Sequence, residues 1–200
     1  LILLKLTCII LIYHADYNII KGTSLLYLQQ KEFFMKKYIN TLKLSRLFGG
    51  IKENEIEEVL LLLSAVKKEF GKNEYIFRAG ERVTSVALLL DGSVHIQRED
   101  YWGNLSILNK IFRGEVFGEA YTLPGSGAIL NNAVATEIST VLFLDFNRIF
   151  DVNPSEYVFS QKLIQNFFEL LAEKNRVLAQ KLAHMSQRTT REKLLSYLSE

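Results

Sequence analysis

The spacing of apolar residues divides the chain into three regimes. From Met35 to Leu63 apolar positions recur at helical intervals. Leu44, Leu47 and Phe48 form a cluster that Gly49-Gly50 interrupts. Ile51, Ile56, Val59, Leu60 and Leu63 then follow, with Lys52, Glu53, Glu55, Glu57 and Glu58 on the other face. The acidic residues fall in the first turns, where the helix dipole favours negative charge, and read as a solvated face. From Ser64 to Phe146 the period becomes two and turn residues multiply. Strands are predicted at Val66–Phe70, Tyr75–Phe77, Val86–Leu90, around Val94 and Ile96, along Leu105, Ile107 and Ile111, at Ala133–Ala135 and at Thr140–Leu144. Gly71-Lys72-Asn73, Ala79-Gly80 and Tyr101–Asn104 supply turns. Asp91-Gly92 reads as a hairpin turn, because a two-residue turn with positive φ suits that pair. Many short strands at this spacing predict a β-barrel or jelly roll.

The third regime is a long helix, predicted from about Ser155 to Met185. Pro154 marks its entrance, Asn153 or Ser155 its cap, and no Gly or Pro lies inside it. Ile164, Phe168, Leu171, Asn175, Leu178, Leu182 and Met185 are spaced 4, 3, 4, 3, 4, 3. That is a heptad seam with one polar member, Asn175, which in a parallel dimer pairs with its own copy and fixes register. A second row, Leu163, Phe167, Leu170 and Val177, is expected to face the barrel. A single helix lying on its own domain is the alternative to self-association. Beyond it, Leu194, Leu195 and Leu198 begin a new amphipathic helix after Arg188-Thr189-Thr190-Arg191-Glu192-Lys193. Such a leucine stripe suits packing against a further domain.

Residues 1–34 read differently. Leu1 to Ile12 is apolar apart from Lys5, Thr7 and Cys8, then meets Tyr13, His14 and Asp16, so the run is too short for a spanning helix. Met35-Lys36-Lys37 resembles a translation start. The first 34 residues are expected to lie outside the functional fold; a terminal strand or an interfacial anchor is the alternative.

Composition narrows the chemistry. The 200 residues are 48% hydrophobic with net charge +2, a globular balance too weakly basic to argue for nucleic acid. A single cysteine, Cys8, excludes an internal disulfide and a Cys-ligated cluster within one chain, and a reducing, cytoplasmic home is expected. The histidines, His14, His95 and His184, have no metal-pair spacing, and no nucleophilic triad can be assembled. The one stretch with ligand-binding character is Arg113-Gly114-Glu115-Val116-Phe117-Gly118-Glu119-Ala120. Its glycines permit close backbone approach, and Gly118-Glu119-Ala120 is expected to open a short helical turn. A phosphate cradle and an ordinary strand turn both fit the spacing.

The order of these parts is similar to that of a known family. A leading helix, a jelly roll carrying Leu90-Asp91-Gly92-Ser93-Val94 and Gly114-Glu115-Val116-Phe117-Gly118-Glu119, a heptad helix, and Arg188-Thr189-Thr190-Arg191-Glu192-Lys193-Leu194-Leu195 resemble the Crp/Fnr transcription regulators. Glu99–Asn104, Leu163–Asn166 and Ala172–Asn175 resemble members of clostridial type. The likeness covers about Leu44 to Glu200.

It implies an α+β fold: an antiparallel jelly-roll barrel of the cyclic-nucleotide-binding type, flanking helices and a long C-terminal dimerisation helix. The implied layout is an extension at 1–34, an effector-sensing domain at 35–152, a dimerisation helix at 153–187 and, at 188–200, the start of a winged helix-turn-helix. The chain would be a non-enzymatic regulator that binds a small effector and contacts DNA only through that further domain. The resemblance places the effector at Gly118, Glu119 and Ala120, and a homodimer interface at Ile164, Phe168, Leu171, Asn175, Leu178 and Leu182.

The family's phosphate-neutralising arginine has no counterpart. Ile129-Leu130-Asn131 occupies the matching stretch, and no arginine lies between Arg113 and Arg148. An unpaired phosphate charge buried there would be costly. Cyclic AMP and GMP are therefore not carried over, the effector stays unnamed, and no metal, cofactor or membrane is implied. A haem-sensing member would use His95 or His184 as an axial ligand, against the simpler reading of satisfied side chains. Two rivals remain: a stand-alone binding module of the same fold, with Leu194, Leu195 and Leu198 packed back on it, and a cupin-type enzyme, which would need clustered ligands where the barrel has only His95.

Overall fold

The computed structural model describes residues 36–151, 159–187 and 189–198. The chain falls into two compact units, Leu1–Asn40 and Thr41–Glu200. Of the first, residues 36–40 are described and are helical. The expectations for residues 1–34 and for a cap at Asn153 or Ser155 lie outside the described residues.

In the second unit, the end of helix α1 (residues 36–44) is followed by a 3-10 turn, Arg46–Phe48, and helix α2, Glu53–Leu62. Gly49-Gly50 separates them, as the sequence pattern predicts. Ile56, Val59, Leu60 and Leu63 are buried, and Glu53 and Glu55 lie in the first turn of α2.

Eight strands follow: β1 Val66–Phe70, β2 Tyr75–Phe77, β3 Val86–Asp91, β4 Val94–Glu99, β5 Leu105–Ile111, β6 Val116–Phe117, β7 Asn132–Ala135 and β8 Ser139–Leu144. They form two antiparallel four-stranded sheets, ordered β1-β8-β3-β6 and β2-β7-β4-β5. This is the expected jelly roll. Its interior is apolar: Phe77, Ala87, Leu89, Phe117, Ile129 and Val141 are among the buried side chains that close it.

Asp91-Gly92 is not a hairpin turn. β3 pairs with β8 and β6, whereas β4 pairs with β7 and β5, so the chain crosses from one sheet to the other there. The positive φ that suggested a hairpin is present, at +90° for Gly92, but it serves the crossing. A Cβ at this position would lie 2.4 Å from the Ser139 hydroxyl, so only glycine lets the crossing pass this close to the start of β8. The true hairpin joins β4 to β5, where the Asp100 carboxylate accepts from the backbone N–H groups of Trp102 and Asn104.

After a 3-10 segment at Phe146–Phe150, helix α3 runs Ser160–Met185 and helix α4 Thr190–Leu198. Leu163, Phe167 and Leu170 are buried, and Phe167 stacks on Phe146 with ring centroids 4.0 Å apart. Each buried apolar side chain contributes about 1.5–3 kcal/mol. The buried Asn166 side chain donates to the carbonyls of Leu47 and Gly49, at 3.0 and 2.8 Å, which pins α3 to the 46–49 turn. Val177, expected in the buried row, is only half-buried. The packed contact ends before it.

Candidate functional site

The stretch that attracted attention in the sequence forms a strand, a left-handed glycine and one 3-10 turn. β6 pairs with Ala87 and Leu88 of β3, and the Glu115 carboxylate accepts from the Phe112 backbone N–H at 2.8 Å. Gly118 follows with φ +78°, and Glu119–Tyr121 forms the expected short turn. A Cβ on Gly118 would meet the Phe77 ring at 2.8 Å. Phe77 is itself fixed edge-on against Phe117 and Phe143. Glycine is thus required twice, by backbone conformation and by the ring that covers it.

That geometry turns the Glu119 side chain inward, and Glu119 is 9% exposed. Its Oε1 lies 3.0 Å from the Nζ of Lys174, which comes from α3. Lys174 also donates to the Val116 carbonyl, at 2.5 Å. The second carboxylate oxygen, Oε2, is buried without a hydrogen-bond partner. A buried, unpaired acceptor of this kind is costly and calls for a partner. The turn is closed by the Thr122 hydroxyl, which donates to the Glu119 carbonyl at 3.0 Å. Of the three residues expected at the effector, Gly118 and Glu119 share this site. Ala120 is exposed.

Sequence reasoning missed Lys174. A signal was present: Leu163, Phe167, Leu170 and Val177 leave one slot in their 4-3 alternation, and Lys174 fills it. A lysine in an otherwise apolar row reaches its ammonium to whatever acceptor that row faces.

At the stretch matching the absent arginine, Ile129 is buried in the barrel interior and Leu130 is 70% exposed. The flanking arginines do not replace it. Arg113 donates to the Thr41 hydroxyl at 2.6 Å, and Arg148 is exposed. A surface depression of about 450 Å³ lies beside Gly49, Gly50 and Asn166, and residues 116–120 do not line it.

The residues expected at the dimer seam lie on the flank of α3 beside the buried row. Phe168, Leu178 and Leu182 are 59%, 58% and 66% exposed. Asn175 is exposed as well, and Ile164 and Leu171 are half-buried. His95 is half-buried on β4, opposite Lys110 and Val134. The His184 ring nitrogen Nδ1 is 2.8 Å from the Ser196 hydroxyl of α4. Among the described residues no group of three or more His, Cys, Asp or Glu is placed to hold a metal ion, and no helix is long and apolar enough to cross a membrane.

Comparison with known proteins agrees with this architecture. Residues 67–152 match the sequence model of the family described as Cyclic nucleotide-binding domain. That segment spans β1 to the end of the 3-10 segment after β8, and contains Gly118 and Glu119. No curated protein matches. Among solved structures, the chain is similar to the Catabolite Activator Protein of Thermus thermophilus, at 24% identity and TM-score 0.59, over 71% of this chain and 63% of that one. The chain thus spans less than two thirds of that protein. It is also similar to the sensor domain of the transcriptional regulator DNR from Pseudomonas aeruginosa, at 22% identity and TM-score 0.57, over 78% of this chain and 98% of the other. A cyclic nucleotide-binding domain from Methylobacillus flagellatus aligns with TM-score 0.63 at 13% identity, over 78% and 86% of the two chains. These likenesses define the fold: a cyclic-nucleotide-binding-type jelly roll whose structural neighbours include transcription regulators.

Proposed function

We propose that this chain is the sensor and dimerisation part of a Crp/Fnr-type transcription regulator. It binds a small effector beside Gly118 and Glu119 and, in the complete protein, controls DNA binding. The observation that carries this reading is the division of α3: one row is buried against the 46–49 turn and the 3-10 segment at Phe146–Phe150, and the 4-3 seam is exposed or half-buried. An apolar seam in heptad register calls for a second helix, and a second copy of the same helix supplies it. Effector binding then shifts a two-state dimer by favouring one setting of the paired helices. The effector is not cyclic AMP or GMP, because an isoleucine is buried where the family's arginine would neutralise the phosphate. The exposure of Leu194, Leu195 and Leu198, between 56% and 69%, supports the regulator over the stand-alone module, which requires those leucines to pack back.

Sedimentation at micromolar concentration tests the reading. A dimer is expected, and Leu182→Asp is expected to dissociate it while changing the folded monomer by less than about 0.5 kcal/mol, as exposed substitutions do. A monomeric wild-type chain would overturn the proposal. Tight binding of cyclic AMP by calorimetry would overturn the effector assignment alone.

A further inference from the structure

The depression beside Gly49 and Gly50 has a chemistry that the proposed function leaves unused. It lies where the 46–49 turn meets the first turns of α3. Its volume of about 450 Å³ falls within the range of about 300–1,000 Å³ that small-molecule sites occupy. Two cations, Arg46 and Lys162, and one carboxylate, Glu169, line it. Among the described residues neither cation has an ion pair. Glu169 Oε1 accepts from Gln165 Nε2 at 2.7 Å. The Lys162 stem is laid across Gly50: a Cβ there would meet Lys162 Cε at 3.2 Å, and Gly50 has a φ of +73°. Asn166 reaches the depression from a buried position, with 4% exposure. Its Nδ2 is occupied by the carbonyls of Leu47 and Gly49, which fixes the orientation of the amide. Its Oδ1 is left without a hydrogen-bond partner among the described residues and is not sealed from solvent.

We infer that this depression is a binding site for an acidic α-amino acid. Two unpaired cations converging on one space attract carboxylates. Asn166 Oδ1 and Glu169 are acceptors and call for a donor, which the α-ammonium supplies with three N–H groups. Two positive side chains and one negative leave the lining with a net charge of +1, and L-glutamate carries one net negative charge at neutral pH, so the occupied site is neutral. A simple anion satisfies the cations and leaves Oδ1 without a donor; a simple cation meets net repulsion. Residues 116–120 do not line the depression, so the inference goes beyond the effector site proposed above and does not depend on it. A bound ligand spans the 46–49 turn and α3 beside the Asn166 hydrogen bonds and reinforces the junction they make.

The test is a nuclear magnetic resonance titration of the full chain, following the Gly49 and Gly50 amides. The probes are L-glutamate, glutarate, which lacks the ammonium, and L-glutamine, which lacks the second carboxylate. L-glutamate is expected to give saturable shifts at both amides. Glutarate and L-glutamine should each bind about tenfold more weakly, as the loss of one charge-assisted contact predicts. Lys162→Gln and Arg46→Gln should each weaken L-glutamate by about tenfold or more, and Arg46→Lys should recover part of the loss by restoring the charge. Both cations lie at the surface, and an unchanged amide spectrum outside the depression confirms that the variants remain folded. Absence of saturable shifts at both amides would overturn the inference, as would equal binding by Lys162→Gln and wild type. Glutarate binding as tightly as L-glutamate would reduce the site to one for simple anions and overturn the amino-acid assignment. Shifts centred on Gly118 and Glu119 instead would move the ligand to the barrel turn, against this inference and in favour of the effector site.

Discussion

The two halves of α3 live in different surroundings. From Ser160 to Leu170 the helix has a buried face: Leu163, Phe167 and Leu170 pack inward and Asn166 holds the carbonyls of Leu47 and Gly49. From Leu171 to Met185 every side chain is exposed or half-buried, although the apolar alternation continues unbroken. The sequence periodicity is the same in both halves, so periodicity alone does not say what covers a helix. The first half is held by its own domain. The second half has the composition of an interface and lacks the neighbour within the described chain. Lys174 sits just past the junction and is the second half's link to the barrel.

Truncating the anchored half should have the largest effect. Phe167→Ala removes a ring stacked on Phe146 and is expected to cost about 3–5 kcal/mol of stability in denaturant unfolding. A loss below about 1 kcal/mol would show that the first half is not an anchor. A smaller effect, of different character, is expected in the free half. Asn175→Leu should leave the monomer nearly unchanged, raise the stability of the dimer and loosen its register or oligomer state, because a buried Asn costs stability while fixing alignment. A dimer that sediments unchanged or becomes weaker would remove Asn175 from the interface.

The smallest effect is a pH dependence within the free half. Arg176 donates to both carboxylate oxygens of Glu173, at 3.0 and 2.8 Å, and this hydrogen bonding, with the guanidinium charge, holds the Glu173 carboxyl below its usual range. A carboxyl with a lowered folded-state value contributes stability above its unfolded value, about 4.3 for an ordinary Glu. That contribution is lost as pH falls through the lower folded value. Helicity of this segment should therefore decline slightly in acid in the wild type, and Glu173→Gln should abolish that step; an identical acid profile in both would exclude the pair. The exposed position and solvent screening keep the effect small.

Much of the fold was legible because it is local. β1 and β2 match their predicted bounds residue for residue, since the flanking turns delimit them. The split of α3 into a packed row and an exposed seam was legible for the same reason. Asp91-Gly92 misled because its backbone conformation suits both a hairpin and a sheet crossing, and only the pairing of β3 with β8 distinguishes them. At the candidate site, Gly118 and the short turn at Glu119 were expected from their motif. Lys174 was not, because an ion pair between a 3-10 turn and a distant helix leaves no periodic trace beyond one charged slot in an apolar row. Ala120 belongs to the motif but faces outward, which a short pattern cannot reveal.

The Asn166 clamp has a mechanical consequence. At 1.5 Å per residue, Lys174 lies about 12 Å along the helix from Asn166 and Met185 about 28 Å. If α3 turns as a rigid rod about the clamp, displacement grows in proportion to that distance. A shift of about 1 Å at the ammonium then reaches more than about 2 Å at Met185, by the same rise per residue. The clamp is a fulcrum placed close to one end, and Lys174 sits on the long arm, less than halfway to its tip. A small displacement at that point is thereby enlarged at the far end of a helix of 26 residues.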